Sequence, residues 1–316
     1  MAILTRNHLS VSVEAIERSP DILICALGYE SRCTSVAKKI AFAEETLKFA
    51  IGFDEGKIFS YEKNKRYFKQ TGFSVIESSG HELRSVILNI LDAFKNREVS
   101  AVVDCSCFTR LRLGAIVESF RELVEDSGLT IHLHLVYCIA EFHPAVGVTA
   151  PLVKVDPVLS AFSGWTSDAF APPAGIIGLG YEQDKALAAV ENLELDNGYW
   201  TFIPTGPIQK YEAEVVKANS LILPSAMRLN RRRFYEICDP AKLYAQLEDL
   251  SLLLSRDFRV LFIPLGPKIF AVICLLISAV NPEIGVWRVS STVEETAADR
   301  KGSNEFSCLF VTIERG

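Results

Sequence analysis

The apolar run DILICALGYE (21–30) closes on a word, LGYE, that returns at the end of AGIIGLGYE (174–182). The repetition does not stop there. SRCTSVAKKIAFAEE follows the first copy and QDKALAAVENLE the second, both with helical character. Each leads to a further apolar run, FAIGFDEG (49–56) and YWTFIPTG (199–206), and Glu30 stands as far from Ile51 as Glu182 does from Ile203. SYEKNKRYFKQTG (60–72) then corresponds to KYEAEVVKANS (210–220) as a second helix. HELRSVILNILDAFKN gathers Leu83, Val86, Ile87, Ile90, Leu91 and Phe94 on one helical face, as AKLYAQLEDLSLLLS does Leu243, Leu247, Leu250 and Leu254. VSAVVDCSCFTRLRLGAIVESFREL matches FRVLFIPLGPKIFAVICLLISAV as buried strand, sharp turn and helix. IHLHLVYCIA (131–140) and IGVWRVSS (284–291) close the two halves.

Strands that alternate with helices, and that read as nearly continuous apolar runs, specify a parallel sheet covered on both faces. The expected fold class is therefore α/β: a tandem duplication of a Rossmann-like parallel-sheet unit, with helices on both sheet faces. The first half is placed at 1–145 and the second at 175–316. The latter ends in NEFSCLFVTIERG, which alternates like an added edge strand. Between them, 146–174 reads as a linker, since Pro144, Pro151, Pro157, Pro172 and Pro173 punctuate 143–175 without clean periodicity. Val153, Leu159, Phe162, Trp165 and Phe170 predict that it packs down on the body. With 316 residues, 49% of them hydrophobic and 23% charged, the chain can bury cores of this size.

In open parallel sheets a ligand binds beyond the carboxyl ends of the strands, where the strand order reverses. That rule selects Gly28, Tyr29, Glu30, Arg32, Asp54, Asp104, Ser106, Thr109 and Arg110 from the first half, with Glu141 and His143 after its last strand. From the second it selects Gly180, Tyr181, Glu182, Thr205, Gly206, Gly266, Lys268 and Arg288. In LGYE the glycine permits a tight turn or a close backbone approach, and a glutamate near a helix start is favoured by the dipole. The same glutamate repels phosphate, and the word lacks both G-x-G-x-x-G and a P-loop lysine. As a ligand site it suits ribose hydroxyls or a base amine on the carboxylate and a base stacked on the tyrosine. As a plain turn it needs none of these. PLGPKIF is friendlier to an anion, with no acid nearby, a proline suited to a helix start, and Lys268. DCSCFTRLR offers Ser106, Thr109, Arg110 and Arg112, tempered by Asp104. The structural alternative is that Arg110 and Lys268 simply face solvent.

A net charge of −6 argues against broad capture of duplex nucleic acid. Among the eight cysteines, Cys25, Cys105, Cys138 and Cys274 lie in apolar runs, where a thiol behaves as a small hydrophobe. MAILTRNHLSVSVEAIERSP lacks the apolar centre of a secretory leader. A reduced, cytoplasmic protein is expected. VLFIPLGPKIFAVICLLISAV (260–280) has the length of a membrane span, but Pro264, Gly266, Pro267 and Lys268 interrupt it, so a strand, a turn and a buried helix are expected. His132 and His134 share a strand face without a third ligand, and Cys105 and Cys107 lack a second pair, so neither a metal nor another cofactor is expected. RLNRRRF (228–234) reads as a solvated basic loop.

Two fused Rossmann-like units, each with a polar turn after its first strand and a basic turn after its fourth, resemble the CARF and SAVED sensor domains of prokaryotic antiviral systems. The fourth-strand motif there is an aspartate, a small hydroxyl residue, glycines and a basic residue. Asp104, Ser106, Thr109 and Arg110 of DCSCFTR, and Gly266 and Lys268 of PLGPK, stand in comparable places. The chain departs from the pattern where Cys107 and Phe108 replace the glycine pair, and where the second half has no aspartate. The resemblance implies a sensor or regulatory subunit that binds a nucleotide or cyclic oligonucleotide and acts through a protein partner or by homo-oligomerisation. Two other classes fit the residues. One is an enzyme acting on a nucleotide or nucleic-acid fragment, with Asp104, Glu30 or Glu182 as acid or base and Ser106 or Cys107 as nucleophile, but no histidine assigned to activate either. The other is a non-catalytic scaffold, in which the helix KIFAVICLLISAV, apolar all round, is buried against the other half or a partner chain.

Overall fold

Each half builds its sheet outward from its most apolar run. In the first, every residue of Ile22–Leu27 is buried, which only a strand covered on both faces satisfies. The structure, a computed structural model, describes residues 3–17, 19–40, 42–53, 56–80, 82–94, 98–144, 152–165, 170–183, 185–195, 198–291 and 297–316. The chain divides into two units, Met1–Glu141 with Ala298–Gly316, and Phe142–Ala297.

The first unit runs β1 (Ile3–Ser10), β2 (Ile22–Leu27), α1 (Ser35–Lys39), β3 (Leu47–Gly52), α2 (Tyr61–Gln70), β4 (Ser74–Glu77), α3 (Leu83–Leu91), β5 (Val99–Asp104), α4 (Arg110–Ser127) and β6 (Ile131–Ala140). Strands β2 to β6 are parallel, in the order β4-β3-β2-β5-β6. Counted from β2 this is the 3-2-1-4-5 order of a doubly wound sheet, and it reverses between β2 and β5. Right-handed crossovers put α1 and α2 on one face and α3 and α4 on the other. Leu23, Cys25 and Leu27 accordingly pack with Val36, Ile40, Tyr61 and Phe68.

The second unit runs β7 (Leu152–Pro157), β8 (Pro173–Gly178), α5 (Lys185–Asn192), β9 (Tyr199–Thr205), α6 (Gln209–Ala218), α7 (Leu223–Arg228), β10 (Arg232–Glu236), α8 (Pro240–Leu254), β11 (Arg259–Pro264), α9 (Lys268–Val280) and β12 (Gly285–Ser291). Its parallel order, β10-β9-β8-β11-β12, is again 3-2-1-4-5 counted from β8. The repetition of LGYE therefore marks a repetition of topology. The greasy stretch 260–280 divides into β11, a turn and α9. Among the described residues no helix is long and apolar enough to cross a membrane. Every residue from Ile269 to Ser278 is buried, under α8, β11, β12 and the 3-10 turn Ser160–Phe162 of the same unit. The all-round apolarity of α9 thus needs no partner chain.

Three expectations change. The C-terminal alternation, β13 (Gly302–Arg315), is no edge strand of the second half. It pairs antiparallel with β6 on one side and β1 on the other, inside the first unit's seven-stranded sheet. Burial of Ser307, Cys308, Leu309, Val311, Thr312 and Ile313 on both of its faces fits that interior place. Within 146–174, β7 pairs antiparallel with β12 as the last strand of the six-stranded sheet, so this stretch belongs to the second unit. Val158 and Phe162 are buried there and Leu159 half-buried, but Trp165 and Phe170 are exposed; residues 145–151 and 166–169, and the side chain of Val153, lie outside the described residues. Finally, RLNRRRF is a loop only at 229–231: Arg228 ends α7, and Arg232, Arg233 and Phe234 pair with β9 in the edge strand β10.

Candidate functional site

In the first unit the turn after β2 is tied down from several sides. Asn64 of α2, itself buried, donates from Nδ2 to the carbonyls of Gly28 at 3.0 Å and Glu30 at 2.8 Å. The Glu30 carboxylate accepts from Arg32 Nε at 2.5 Å, while Arg32 Nη1 donates to the Cys138 carbonyl in β6 at 3.0 Å. Burial works against the Arg32 charge, but Glu30 and Tyr137 hold its pKa well above the ordinary range. The segment leading into β13 lies across the same turn. Asp299 accepts from Ser31 N at 2.6 Å and from Ser60 Oγ at 2.9 Å, and Arg32 N donates to the Arg300 carbonyl at 3.2 Å.

The turn after β5 is closed in. Asp104 is 2% exposed and accepts from Ser106 N at 3.0 Å, and the buried Ser106 Oγ accepts from Cys138 N at 2.8 Å. Burial raises the Asp104 carboxyl to about 6, against the pull of its Ser106 hydrogen bonds and the Arg32 charge. Thr109 caps α4 by accepting from Arg112 N at 3.3 Å, and the half-buried Arg110 is the first residue of that helix. Arg112 is buried beneath them. It donates to the Gly52 carbonyl at 2.9 Å and to that of Ser78, over the Phe53 ring at 4.1 Å, and so clamps the chain at the ends of β3 and β4. The hydrogen-bonded Cys33 thiol, with burial, pushes Cys107 well above the usual thiol range. A protonated thiol and a buried hydroxyl are poor nucleophiles. Asp54 lies outside the described residues. Glu141 N donates to the Lys301 carbonyl at 2.8 Å, and His143 Nδ1 lies 3.0 Å from the Pro144 carbonyl.

The second unit holds its LGYE turn in the same way, through Asn219 at the end of α6, whose Nδ2 meets the Gly180 carbonyl at 2.7 Å. Here the two turns at the reversal point touch. Leu265 N and Gly266 N both donate to the Gly178 carbonyl, at 2.8 and 2.9 Å. A Cβ on Gly180 would stand 2.8 Å from the Leu265 oxygen, and one on Gly266 2.5 Å from the Leu179 oxygen. Neither glycine has a positive φ, so close approach is what demands them. Two amides of the anion-friendly PLGPK turn are thus occupied by a carbonyl, and Lys268 opens α9 beside them. Glu182 is half-buried after this turn, with its Oε2 folded back against Gly180 where a Cβ would stand. Thr205 Oγ1 donates to the Tyr235 carbonyl at 3.0 Å, Gly206 approaches Glu236, and Arg288 on β12 stands opposite Asp156 on β7.

The two LGYE turns also share an aromatic pair. Tyr29 meets Phe59, just before α2, with ring centroids 6.0 Å apart. Tyr181 meets Tyr211, in the first turn of α6, at 5.6 Å and 33° between planes. Each pair joins the turn after the first parallel strand to the start of the helix that follows the second, Phe59 just before α2 and Tyr211 just inside α6. Phe142 adds an edge contact to Tyr211 at 5.2 Å, with Lys210 5.8 Å over its ring. Phe59 is 60% exposed at φ 47°, a left-handed backbone that a bulky side chain adopts only where its surroundings impose it. One such constraint is the hydrogen bond from Ser60 N to the Tyr29 carbonyl at 3.1 Å. Sequence correspondence aligns Tyr61 with Tyr211. In the fold Tyr61 is buried, donating to Glu77 at 3.2 Å, and Phe59 takes the place beside the LGYE tyrosine. Sequence reasoning does not single out Asn64, Asn219, Phe59, Tyr211 or Asp299. Asn64 lies in the first turn of α2 and Asn219 just past the end of α6, so no shared sequence position marks the asparagines.

No family model matches the sequence, and no curated protein matches it. A solved structure that aligns with it is the cytoplasmic domain of a prokaryotic cation chloride cotransporter. It is 11% identical, over 88% of this chain and 98% of that one, with a TM-score of 0.25; likeness at that level carries no functional argument. The strand orders themselves establish the architecture, two α/β units of 3-2-1-4-5 topology in one chain.

Proposed function

We propose that this chain is a nucleotide-binding sensor or regulatory protein that receives a base at the strand-end turns of its units. The observation that carries this reading is the repeated aromatic pair, Tyr29–Phe59 and Tyr181–Tyr211, beyond the carboxyl ends of sheets that take ligands there. Stacking on an aromatic face is worth about 1–3 kcal/mol per base. The resemblance to CARF and SAVED sensors extends the proposal to cyclic oligonucleotides and to action through a partner subunit or self-association. A catalytic reading has less support, because the polar atoms of Asp104 and Ser106 are buried and hydrogen-bonded within the fold. The scaffold reading loses its motive, since α9 is covered by its own unit.

Thermal unfolding with a panel of linear mononucleotides, cyclic dinucleotides and longer cyclic oligonucleotides tests the proposal. A ligand at a hundredfold its Kd adds about 2.7 kcal/mol of stability. The expected outcome is a raised Tm with at least one compound, diminished in Tyr29→Ala or Tyr181→Ala. A panel that leaves Tm unmoved, or a shift that both variants keep in full, contradicts it.

A further inference from the structure

Between α1 and α2 the first unit opens a groove of about 320 Å³, within the lower range of small-molecule sites. Its floor is polar and buried, with Thr34 1% and Asn64 3% exposed. Tyr67 forms a wall. The rim carries Lys38 from α1 facing Lys63 and Arg66 from α2.

These cations differ from their immediate neighbours. Lys39 pairs with Glu14 at 2.8 Å and Lys65 with Glu77 at 2.5 Å. No carboxylate among the described residues pairs with Lys38, Lys63 or Arg66. Lys38 Nζ lies instead 4.8 Å over the Tyr67 ring. Partial burial, and the Lys63 charge across the groove, lower its pKa. Like charges gathered over a buried polar floor with no carboxylate paired to them raise each other's energy, and an anion between them relieves it.

We propose that this groove binds the phosphate of a small phosphorylated ligand, with Lys38, Lys63 and Arg66 sharing its charge above the Thr34–Asn64 floor. Asn64 also holds the carbonyls of Gly28 and Glu30, so occupancy of the groove bears directly on the LGYE turn. The inference does not depend on the strand-end reading, because a phosphate needs no base to stack.

Calorimetric titration of the full chain with inorganic pyrophosphate at low ionic strength tests it. Wild type is expected to bind, and Lys63→Ala/Arg66→Ala to bind about a hundredfold more weakly, at roughly tenfold for each cationic side chain removed. Lys69→Ala/Lys217→Ala removes the same charge from exposed positions outside the groove and is expected to bind as wild type does. Neither double should lower the wild-type Tm, and Lys63→Arg/Arg66→Lys should retain binding. Absence of binding at millimolar pyrophosphate, or equal weakening in both alanine doubles, overturns the proposal. So does binding of a single-stranded oligonucleotide through Lys63 and Arg66 while pyrophosphate stays silent, which would assign the rim to a nucleic-acid backbone. Pyrophosphate binding beside an unresponsive nucleotide panel would uphold the groove and sink the strand-end reading alone.

Discussion

Asp104 carries a carboxyl where the fold leaves almost no water. Its pKa is about 6 in the native state against an ordinary value of 3.8. Between those values the folded chain holds a proton that the unfolded chain has lost. The stability this group contributes is therefore full below about pH 4 and is lost as pH rises through about 6. Asp104→Asn keeps an oxygen for Ser106 N and removes the charge. It is expected to stabilise the protein by about 2–3 kcal/mol at pH 7.5 and to flatten the decline between pH 4 and 6, as read from urea unfolding of both proteins across that range. An unchanged decline in the variant would count against the buried-carboxyl assignment. Steric arguments rank the turn glycines. Gly180→Ala and Gly266→Ala meet carbonyl oxygens at 2.8 and 2.5 Å and should cost about 1–3 kcal/mol each. Gly28→Ala meets the Cys33 Sγ at 3.2 Å, a side chain able to move, and should cost less than either. Equal melting temperatures for the three variants would contradict that ranking. Close approach at Gly180 is legible in LGYE, but the partners of the tyrosines are not. Phe59 and Tyr211 occupy different offsets in their halves, and only the folded loops bring them to equivalent places.

The central strands are legible because burial on both faces forces a continuous apolar run, as in Ile22–Leu27 and in residues 260–264 of β11. Edge strands escape for the opposite reason. β4 is four residues long, and β10 presents two arginines and a glutamate, the polar character that sheet edges require. β7 hides in a proline-rich stretch. The C-terminal strand is recognised as a strand but lodged in the wrong half, since pairing of Ile3 with Arg315 leaves no trace in local pattern. That pairing has consequences. β13 separates β1 from β6, so it is core and not a fraying tail. Leu309→Ala, at a fully buried position, is expected to cost about 2–5 kcal/mol by urea unfolding. Native-state hydrogen exchange should find the 307–313 amides among the slowest of the first unit; exchange typical of a fraying terminus would contradict the interior placement.

At the scale of the whole molecule, one plan is written twice and finished differently. Both units share the 3-2-1-4-5 order, an asparagine on the LGYE glycine carbonyl and an aromatic pair at the strand ends. The first adds β13, antiparallel to β6, and β1 beyond it at one edge, and pairs a buried Arg32 with the half-buried Glu30, while the second adds one strand and presses its two turns together. The duplication that the sequence displays is thus real in topology, whereas the polar groups at the strand ends have diverged. The central claim is that the shared plan of these turns serves a ligand. Hydrogen exchange of the full chain with and without saturating ATP, GTP or a cyclic dinucleotide tests it most directly. The account predicts slowed exchange at 28–32 and 56–60 in the first unit, at 180–183 and 209–212 in the second, or at both. Unchanged exchange in all four segments with every nucleotide would contradict it and leave LGYE a structural turn used twice.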